Sequence, residues 1–327
     1  MLEDVTLLGD VHLEKKFRTG VPLHRLGERE GLVWADFEAS LHEARLRPYH
    51  VQVGDIFDQM CVSETAVLKT ASLYRFYAER APGTRFIIIR GNHDASRDIT
   101  KKSSFDILAE LLAPVPNITV FKESVGVIGD YGFLPWHPFK SSAQLAFDLV
   151  SLTKGKKLKA VFCHCDIGTF GGNDDNLIPT KILSQITDVV VTGHVHVPDT
   201  YSQDGVTVVV TGSMQPYTHN EDLTNVLYRT LTLQEFQDGL YKDDWKGLNL
   251  RILLKPGEIL PMAPDCLSFI GKTVADSDPE ELDDYEEEVG FNTFDMDAIF
   301  KQVMQEREVG PEVAEKINAK YSEIRYG

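Results

Sequence analysis

Two histidines, His194 and His196, end an apolar run of this chain in the stretch VVVTGHVH, residues 189–196. In an extended backbone, residues i and i+2 point to the same side, so both imidazoles can face one point. Neutral imidazole is a common ligand of first-row metals. The pair is therefore a candidate metal site. By itself this stretch is equally compatible with two solvated histidines on a turn before Pro198.

Four other apolar runs also end in polar residues that can bind metals. The endings are the stretches GDVH, GDIFD and GNHD and a lone histidine after KAVFC. They supply Asp10, His12, Asp55, Asp58, Asn92, His93, Asp94 and His164. In open α/β sheets, sites form at the carboxyl ends of the strands, so all five endings can meet at one edge. Ligand-type residues at every ending predict one shared site rather than ordinary loop chemistry.

The residue types indicate which chemistry this site would perform. Aspartate, histidine and asparagine without thiolates suit Mn²⁺, Fe²⁺ or Zn²⁺. Cys163 and Cys165 flank His164, but side-chain alternation turns both thiols away from the side that the imidazole faces. The set is too large for one tetrahedral ion and suits two ions about 3.5–4 Å apart. Such a pair stabilises the attacking and leaving oxygens of an in-line phosphoryl displacement.

The elements that must position these residues alternate along about the first two-thirds of the chain. Apolar runs such as VTLLG and FIIIRG predict strands, and LVWADFEASLHEARL has helical spacing. A helix is also predicted for SSFDILAELLA, with Ser103 or Ser104 as its N-cap. The alternation predicts an α/β fold with mixed sheets flanked by helices. After about residue 223 the strand-like runs NVLYRTLTLQEF and LNLRILLKPG lack this alternation, which predicts a small second domain.

The five strand endings, taken in order over about residues 5–213, resemble the five motifs of the calcineurin-like metallophosphoesterases. The resemblance implies their layered phosphoesterase fold and two divalent ions, one held by Asp10, His12 and His196 and the other by Asn92, His164 and His194. Asp55 would bridge the two ions. His93 matches the histidine that contacts the scissile phosphate and can protonate the leaving oxygen, and Asp94 would orient it.

Within that family, the chain resembles the SbcD-type nuclease subunits of bacteria and phages in three features. These are the motif GDIFD, the chain length, and the strand-rich and helical segments that follow the phosphoesterase motifs. The resemblance implies a DNA exonuclease and endonuclease for repair or recombination, with Mn²⁺ as the expected metal and Fe²⁺ or Zn²⁺ as alternatives. It divides the chain into a phosphoesterase domain (1–222), a capping domain (223–275), an acidic linker (276–290) and a helical tail (291–327). A homodimer is compatible with this resemblance.

The tail is the segment through which the resemblance implies docking on the coiled coil of an ABC-type ATPase. Its apolar residues at helical spacing are the candidate anchors: Met296, Ile299, Phe300, Val303, Ile317 and Tyr321. The chain has no Walker A motif, so ATP hydrolysis would belong to the partner. Docking of the tail on this chain's own body is the alternative. The acidic run before the tail, residues 276–288, has nine acids and no base, which is typical of a solvated linker.

The negative net charge of the chain limits how it could bind DNA. The net charge is −17, so general attraction to nucleic acid is excluded and local basic patches or a partner must supply it. Lys15, Lys16 and Arg18 follow the first ligand pair and could meet a phosphate backbone, although a solvated loop is an equal alternative. Asp58 stands where some relatives carry a histidine that helps position the phosphate.

Two other functional classes share parts of this pattern. A stand-alone metallophosphodiesterase or phosphatase for nucleotides or phosphoproteins would have the same centre but no need of the tail. A non-catalytic scaffold predicts lost ligands, and the ligand set is intact. No apolar run approaches the roughly 18 residues of a membrane span, and the N-terminus is acidic rather than basic. We therefore expect a cytoplasmic protein without membrane association.

Overall fold

The computed structural model describes residues 2–96, 98, 100–168 and 175–274. The described residues belong to one compact unit. The predicted acidic linker, the helical tail and the six candidate docking anchors lie outside the described residues.

Two sheets form the centre of the fold. The first is fully parallel in the order β1-β2-β3-β4, and its strands are β1 (Val5–Leu8), β2 (Tyr49–Gln52), β3 (Arg85–Ile89) and β4 (Ile118–Phe121). The second is mixed in the order β5-β6-β7-β8-β10-β9, and its strands are β5 (Gly126–Ile128), β6 (Tyr131–Leu134), β7 (Ala160–Cys163), β8 (Val189–Thr192), β9 (Asp199–Gln203) and β10 (Val206–Val210). The edge strands β5 and β9 are antiparallel to their neighbours.

Helices cover the outer faces of both sheets. They are α1 (Glu28–Ala44), α2 (Glu64–Arg80), α3 (Ser104–Leu112), α4 (Ser142–Thr153) and the short α5 (Thr180–Leu183). The side chain of Ser103 caps α3 in a capping box with Asp106, so the N-cap is the first of the two predicted serines. The spacing of apolar residues in α1, with Phe37 and Leu41 fully buried, follows from the helical period.

Three apolar clusters hold these layers together. One packs residues such as Val51 and Ile87 of the first sheet against Phe133 and Phe162 of the second. A second cluster joins the first sheet to α1, α2 and α3, and a third joins the second sheet to α4 and α5. The resulting order of layers is helices, sheet, sheet, helices. The predicted α/β fold with mixed sheets flanked by helices is therefore confirmed.

A third, smaller sheet lies in the region predicted as the capping domain. It is parallel in the order β11-β12-β13, with β11 (Tyr228–Thr232), β12 (Asn249–Leu254) and β13 (Ser268–Thr273). Its own apolar cluster contains Trp245 and Phe269. The run NVLYRTLTLQEF, predicted as strand-like throughout, is strand only up to Thr232 and continues as helix α6 (Leu233–Gln237). The reason is local, because Thr232 and Glu235 form a capping box that starts a helix.

Candidate metal centre

The carboxyl ends of five strands meet where the two central sheets adjoin. Asp10 follows β1, Asp55 follows β2, Asn92 follows β3, His164 follows β7 and His194 follows β8. Asp10 also forms a parallel bridge with Ser213, which follows β10, so the first strand of one sheet is joined to a central strand of the other. The predicted convergence of the strand endings at one edge is therefore what the structure shows.

The backbone of three ligand-type residues lies in the left-handed region, which non-glycine residues rarely adopt. The φ angles are 47° at His12, 51° at Asp55 and 77° at His194. Each such residue costs about 1–3 kcal/mol and persists only where surrounding contacts enforce it. Strain of this kind clusters at functional sites, and here it falls on three of the residues that the strand endings single out.

The glycines that precede these ligands are required because the strand ends approach each other closely. Gly54 has a φ angle of 114°, and a Cβ there would overlap the imidazole of His164. A Cβ at Gly91 would overlap the carboxylate of Asp55. The glycines of the GDIFD and GNHD endings therefore make room for a ligand that arrives from another strand.

The first ligand group consists of Asp10, His12 and His196. One ligand atom from each lies within 4.8 Å of the others. The Nε2 atoms of His12 and His196 are 3.0 Å apart, and Nε2 of His196 is 3.6 Å from Oδ2 of Asp10. Two nitrogens that bind one ion at about 2.1 Å lie roughly 3.0–3.4 Å apart. The group therefore has the spacing of ligands that share one ion.

The second ligand group consists of Asn92, His164 and His194. Oδ1 of Asn92 is 2.8 Å from Nε2 of His164 and 2.9 Å from Nδ1 of His194. Oδ2 of Asp55 lies 3.3 Å from Nε2 of His164 and 3.9 Å from Nε2 of His12. One carboxylate thus faces both groups, as a bridging ligand must.

Each histidine of the two groups has an oxygen near its other ring nitrogen. Nδ1 of His164 donates to the carbonyl oxygen of Val53 at 2.9 Å. The other three face carboxylates: His12 Nδ1 is 3.3 Å from Asp58 Oδ1, His194 Nε2 is 2.5 Å from Asp166 Oδ1, and His196 Nδ1 is 3.2 Å from Glu221 Oε1. Metal-binding histidines commonly have such a partner, which fixes the tautomer and the ring orientation. The residues present therefore fit a pair of metal ions.

The electrostatics of the cluster favour a buried positive charge. Burial by itself lowers the pKa of His164, but Asp55 and Asp10 outweigh it and raise that pKa to about 10. Burial raises the pKa of Asp55, but the neighbouring His164 outweighs it and holds that pKa well below its usual range. The carboxylates that raise this pKa make the surroundings of His164 negative, which favours a divalent cation there.

His93 lies beside the first group and Asp55. Its backbone N–H donates to Oδ1 of Asp55 at 2.9 Å, and its ring is 4.8 Å from that of His12. Its Nδ1 lies 2.6 Å from the carbonyl oxygen of Asp58, so Nδ1 carries the proton and donates it. The resemblance implies that Asp94 orients the ring of His93. In the structure, the hydrogen bond from Nδ1 of His93 to the backbone oxygen of Asp58 orients this ring.

Asp94 has a different place in the structure from the predicted one. Its carboxylate accepts hydrogen bonds from the backbone N–H groups of Ile56, Phe57 and Gly91 at 3.0–3.2 Å. These groups belong to the two loops that carry Asp55 and Asn92. Asp94 therefore fixes the spacing of the loops rather than the ring of His93.

The predicted substrate-binding residues do not form one basic patch. The Asp58 carboxylate lies behind His12, and Nζ of Lys15 is 3.5 Å from it. Nζ of Lys16 is 3.4 Å from Oε2 of Glu14, and Arg18 is exposed. Two of the three predicted basic residues are thus partly neutralised by neighbouring acids. Asp166 and Glu221, which the sequence analysis did not predict, belong to the site instead.

Two ligand groups that share a carboxylate, beside a histidine able to carry a proton, are the arrangement of two-metal hydrolases such as phosphatases and nucleases. The chain matches the family described as Calcineurin-like phosphoesterase over residues 4–198. That match covers more than half of the chain, so the chain belongs to the calcineurin-like phosphoesterases.

Several solved structures resemble this chain at low sequence identity. TT1561 of Thermus thermophilus is 10% identical with a TM-score of 0.44, covering 64% of this chain and 89% of that one. The phosphopantetheinyl hydrolase PptH of Mycobacterium tuberculosis is 12% identical with a TM-score of 0.34, covering 65% and 93%. A novel archaeal phosphodiesterase is 14% identical with a TM-score of 0.33, covering 64% and 83%.

No curated protein sequence matches the chain. Within the described residues, no helix combines the length and the apolarity that crossing a membrane requires.

Proposed function

We propose that this chain is a two-metal phosphodiesterase that cleaves DNA as the nuclease subunit of a repair or recombination complex, together with an ABC-type coiled-coil ATPase. The observation that carries the phosphodiesterase activity is the pair of ligand groups joined by Asp55, with His93 at their edge. Mn²⁺ is the proposed metal because the ligands are carboxylates, imidazoles and an amide oxygen without thiolate.

Bound ions would supply stabilisation of the attacking and leaving oxygens of the phosphodiester. His93 would supply the proton for the leaving oxygen. Its Nδ1 donates to the Asp58 carbonyl, so Nε2 is the nitrogen from which a protonated ring gives its second proton. Asp94 would keep Asp55 and Asn92 at a fixed separation through the backbone of both loops.

The third sheet, formed by β11, β12 and β13, is called the capping sheet below, and its position supports a polymeric substrate. The loop after His12, which contains Lys15, Lys16 and Arg18, hydrogen-bonds to that sheet, with Gly20 O accepting from Phe269 N at 2.9 Å. Arg25 continues the contact by donating to the carbonyl oxygen of Lys246 at 2.7 Å. The capping sheet is thus attached to the loop that leads away from the metal ligands, and we propose that the nucleic-acid backbone continues along this loop.

The decisive experiment separates the activity from the partner. The purified full chain should cleave a generic phosphodiester with Mn²⁺ and lose that activity in chelator. Metal analysis that finds no bound divalent ion in the wild-type chain would contradict the proposal at its base. Duplex DNA cleavage should increase sharply when a coiled-coil ATPase encoded by a neighbouring gene is co-expressed with the chain.

A truncation ending at Glu288 tests the partner directly. We expect it to retain cleavage of small diesters and to lose association with the ATPase, because the candidate anchors follow that residue. Undiminished co-purification of the truncated chain with the ATPase would show that the tail is not the docking element.

A stand-alone phosphodiesterase for small substrates is the second candidate. The net charge of −17 and the acids beside Lys15 and Lys16 favour it, because both weaken attraction to a polyanion. The two candidates differ in catalytic efficiency: the small-substrate enzyme would hydrolyse a nucleotide diester far better than DNA, with or without an ATPase.

A further inference from the structure

Glu221 connects the first ligand group to the segment that begins the capping sheet. Its Oε1 is 3.2 Å from Nδ1 of His196, and its Oε2 accepts the backbone N–H of Tyr217 at 2.7 Å. Only 12% of its side chain is exposed. Both carboxylate oxygens are therefore engaged, and the contact with His196 is shielded from the solvent that weakens surface ion pairs.

Tyr217 fixes the other side of the same arrangement. Its hydroxyl donates to the carbonyl oxygen of Val11, which lies between Asp10 and His12 in the chain. Its ring contacts the rings of His12 and His196 edge to face, at centroid distances of 5.5 and 5.9 Å. One tyrosine thus contacts both histidines of the first ligand group, and Glu221 accepts a hydrogen bond from the backbone of that tyrosine.

The residue after Glu221 anchors this turn to the capping sheet. Oδ2 of Asp222 accepts the backbone N–H groups of Leu227 and Tyr228 at 2.6 and 2.8 Å, at the start of β11. The hydroxyl of Tyr228 donates back to the carbonyl oxygen of Tyr217 at 2.6 Å. Glu221 therefore sits on a turn whose two ends are both fixed, and its carboxylate has little freedom to leave His196.

We propose that Glu221 is a positioning residue for the ion held by Asp10, His12 and His196: it accepts the Nδ1–H of His196 and thereby presents Nε2 to that ion. A neutral imidazole has one N–H, so a carboxylate at Nδ1 leaves Nε2 as the unprotonated ligand nitrogen. The negative charge also increases the basicity of Nε2, which strengthens its bond to a cation. This role rests on the proposed two-metal function and adds a residue that the five motifs do not contain.

The test is a titration of metal into the full chain and two variants. Calorimetry with Zn²⁺ should give two binding events in the wild-type chain. Glu221→Ala should weaken one event by about 10–100-fold and leave the other unchanged, which is the effect expected on losing such a partner. Glu79→Ala, which removes an exposed glutamate from α2, is the matched control and should bind as the wild type does.

A second measurement reports the ring itself. Proton–nitrogen correlation spectra of the Zn²⁺-loaded chain should show His196 with its proton on Nδ1, and that signal should move or exchange with solvent in Glu221→Ala. Glu221→Gln keeps the side-chain volume and one acceptor oxygen, so its affinity should fall between those of the wild type and Glu221→Ala. If Glu221→Ala does not fold, Glu221→Leu, which has a similar volume and no acceptor, takes its place with the same expected weakening.

The outcomes separate this inference from the function on which it rests. Two unchanged binding events in Glu221→Ala would overturn the positioning role while leaving the two-metal centre intact. Absence of metal binding in the wild-type chain would overturn the proposed function itself. Equal weakening of both events would also overturn the inference, because a general loss of structure, not positioning of one ligand, would explain it.

Discussion

The two ligand groups of this protein are held in place by different kinds of support. In the second group, His164 is fully buried and its Nδ1 donates to a backbone oxygen, that of Val53, just after strand β2. In the first group, both histidines face side-chain carboxylates on loops, Asp58 for His12 and Glu221 for His196. The second group is therefore partly built by the sheet, whereas the first depends on the loops around it.

This difference has a physical consequence for mutation. A backbone oxygen at the end of a strand is fixed by the sheet's hydrogen bonds and cannot be removed by changing a side chain. A carboxylate on a loop can be removed by one substitution, and the histidine then loses the partner that orients it. The first group should thus be the easier one to weaken without unfolding the protein, and the following predictions test that asymmetry from the largest effect to the smallest.

Removal of Asp55, the carboxylate that faces both ligand groups, should weaken metal binding in both groups and so remove the difference between them. Asp55→Ala takes away the carboxylate that faces both groups, so two cations would lie close together with less negative charge between them. We expect loss of metal from both groups and a fall in activity larger than that of any other variant here. Elemental analysis after gel filtration would measure the occupancy. Two tightly bound ions in Asp55→Ala would contradict the bridging role.

His93→Ala should separate catalysis from metal binding. The side chain is proposed to supply a proton rather than to bind an ion, so activity should fall by about 10²–10⁴-fold with both ions retained. The comparison is made by measuring kcat and metal content on the same preparation. A variant that loses its metal would show instead that His93 belongs to the first ligand group.

Asp58→Ala and Asp166→Ala form a pair that addresses one group each. Asp58 faces His12 of the first group, and Asp166 faces His194 of the second. Each substitution should weaken one binding event by roughly 10–100-fold. The larger effect is expected for Asp58, because His164 keeps its backbone partner in the second group. Calorimetric titration of Zn²⁺ into both variants would measure the loss of affinity. A larger loss in Asp166→Ala than in Asp58→Ala would contradict the expectation that the first group is the easier one to weaken.

Lys16→Ala should have the smallest effect. Its Nζ lies beside Glu14 and does not contact either ligand group, so metal binding and small-diester cleavage should be unchanged. If the loop contacts DNA as proposed, the slope of log affinity against log salt concentration should decrease by about 1. Fluorescence anisotropy with labelled duplex DNA at several salt concentrations would measure this slope.

Much of the centre could be predicted from the sequence because its signals are local. A strand ending such as VVVTGHVH places His194 and His196 near one another through the two-residue period alone. The capping box at Ser103 is also a local signal, and so is the burial of Cys163 and Cys165 away from the side of His164. The helix at 233–237 was missed although its capping box is local, because the strand-like composition before it dominates the pattern.

The acids behind the histidines could not be predicted in the same way. Asp166 and Glu221 carry no periodic or motif signal, and many of the chain's 50 acidic residues would have been equal candidates. Asp58 was predicted to meet substrate, yet its carboxylate faces His12 and its carbonyl oxygen receives the Nδ1–H of His93. Which oxygen of a loop residue points at which ring depends on the loop's path, and spacing along the chain does not determine that path.

The sequence by itself determined the candidate ligands, the α/β layering and the family, because strand periodicity, helix spacing and the order of the motifs are local properties of the sequence. Only the tertiary structure decided the distances within the two groups that the resemblance implies, that Asp94 joins two loops, and that Glu221 supports His196 from a turn 25 residues away. The physical reason is that these contacts join loops from different strands. Their geometry is set by the left-handed backbone at His12, Asp55 and His194 and by the packing of the sheets beneath them.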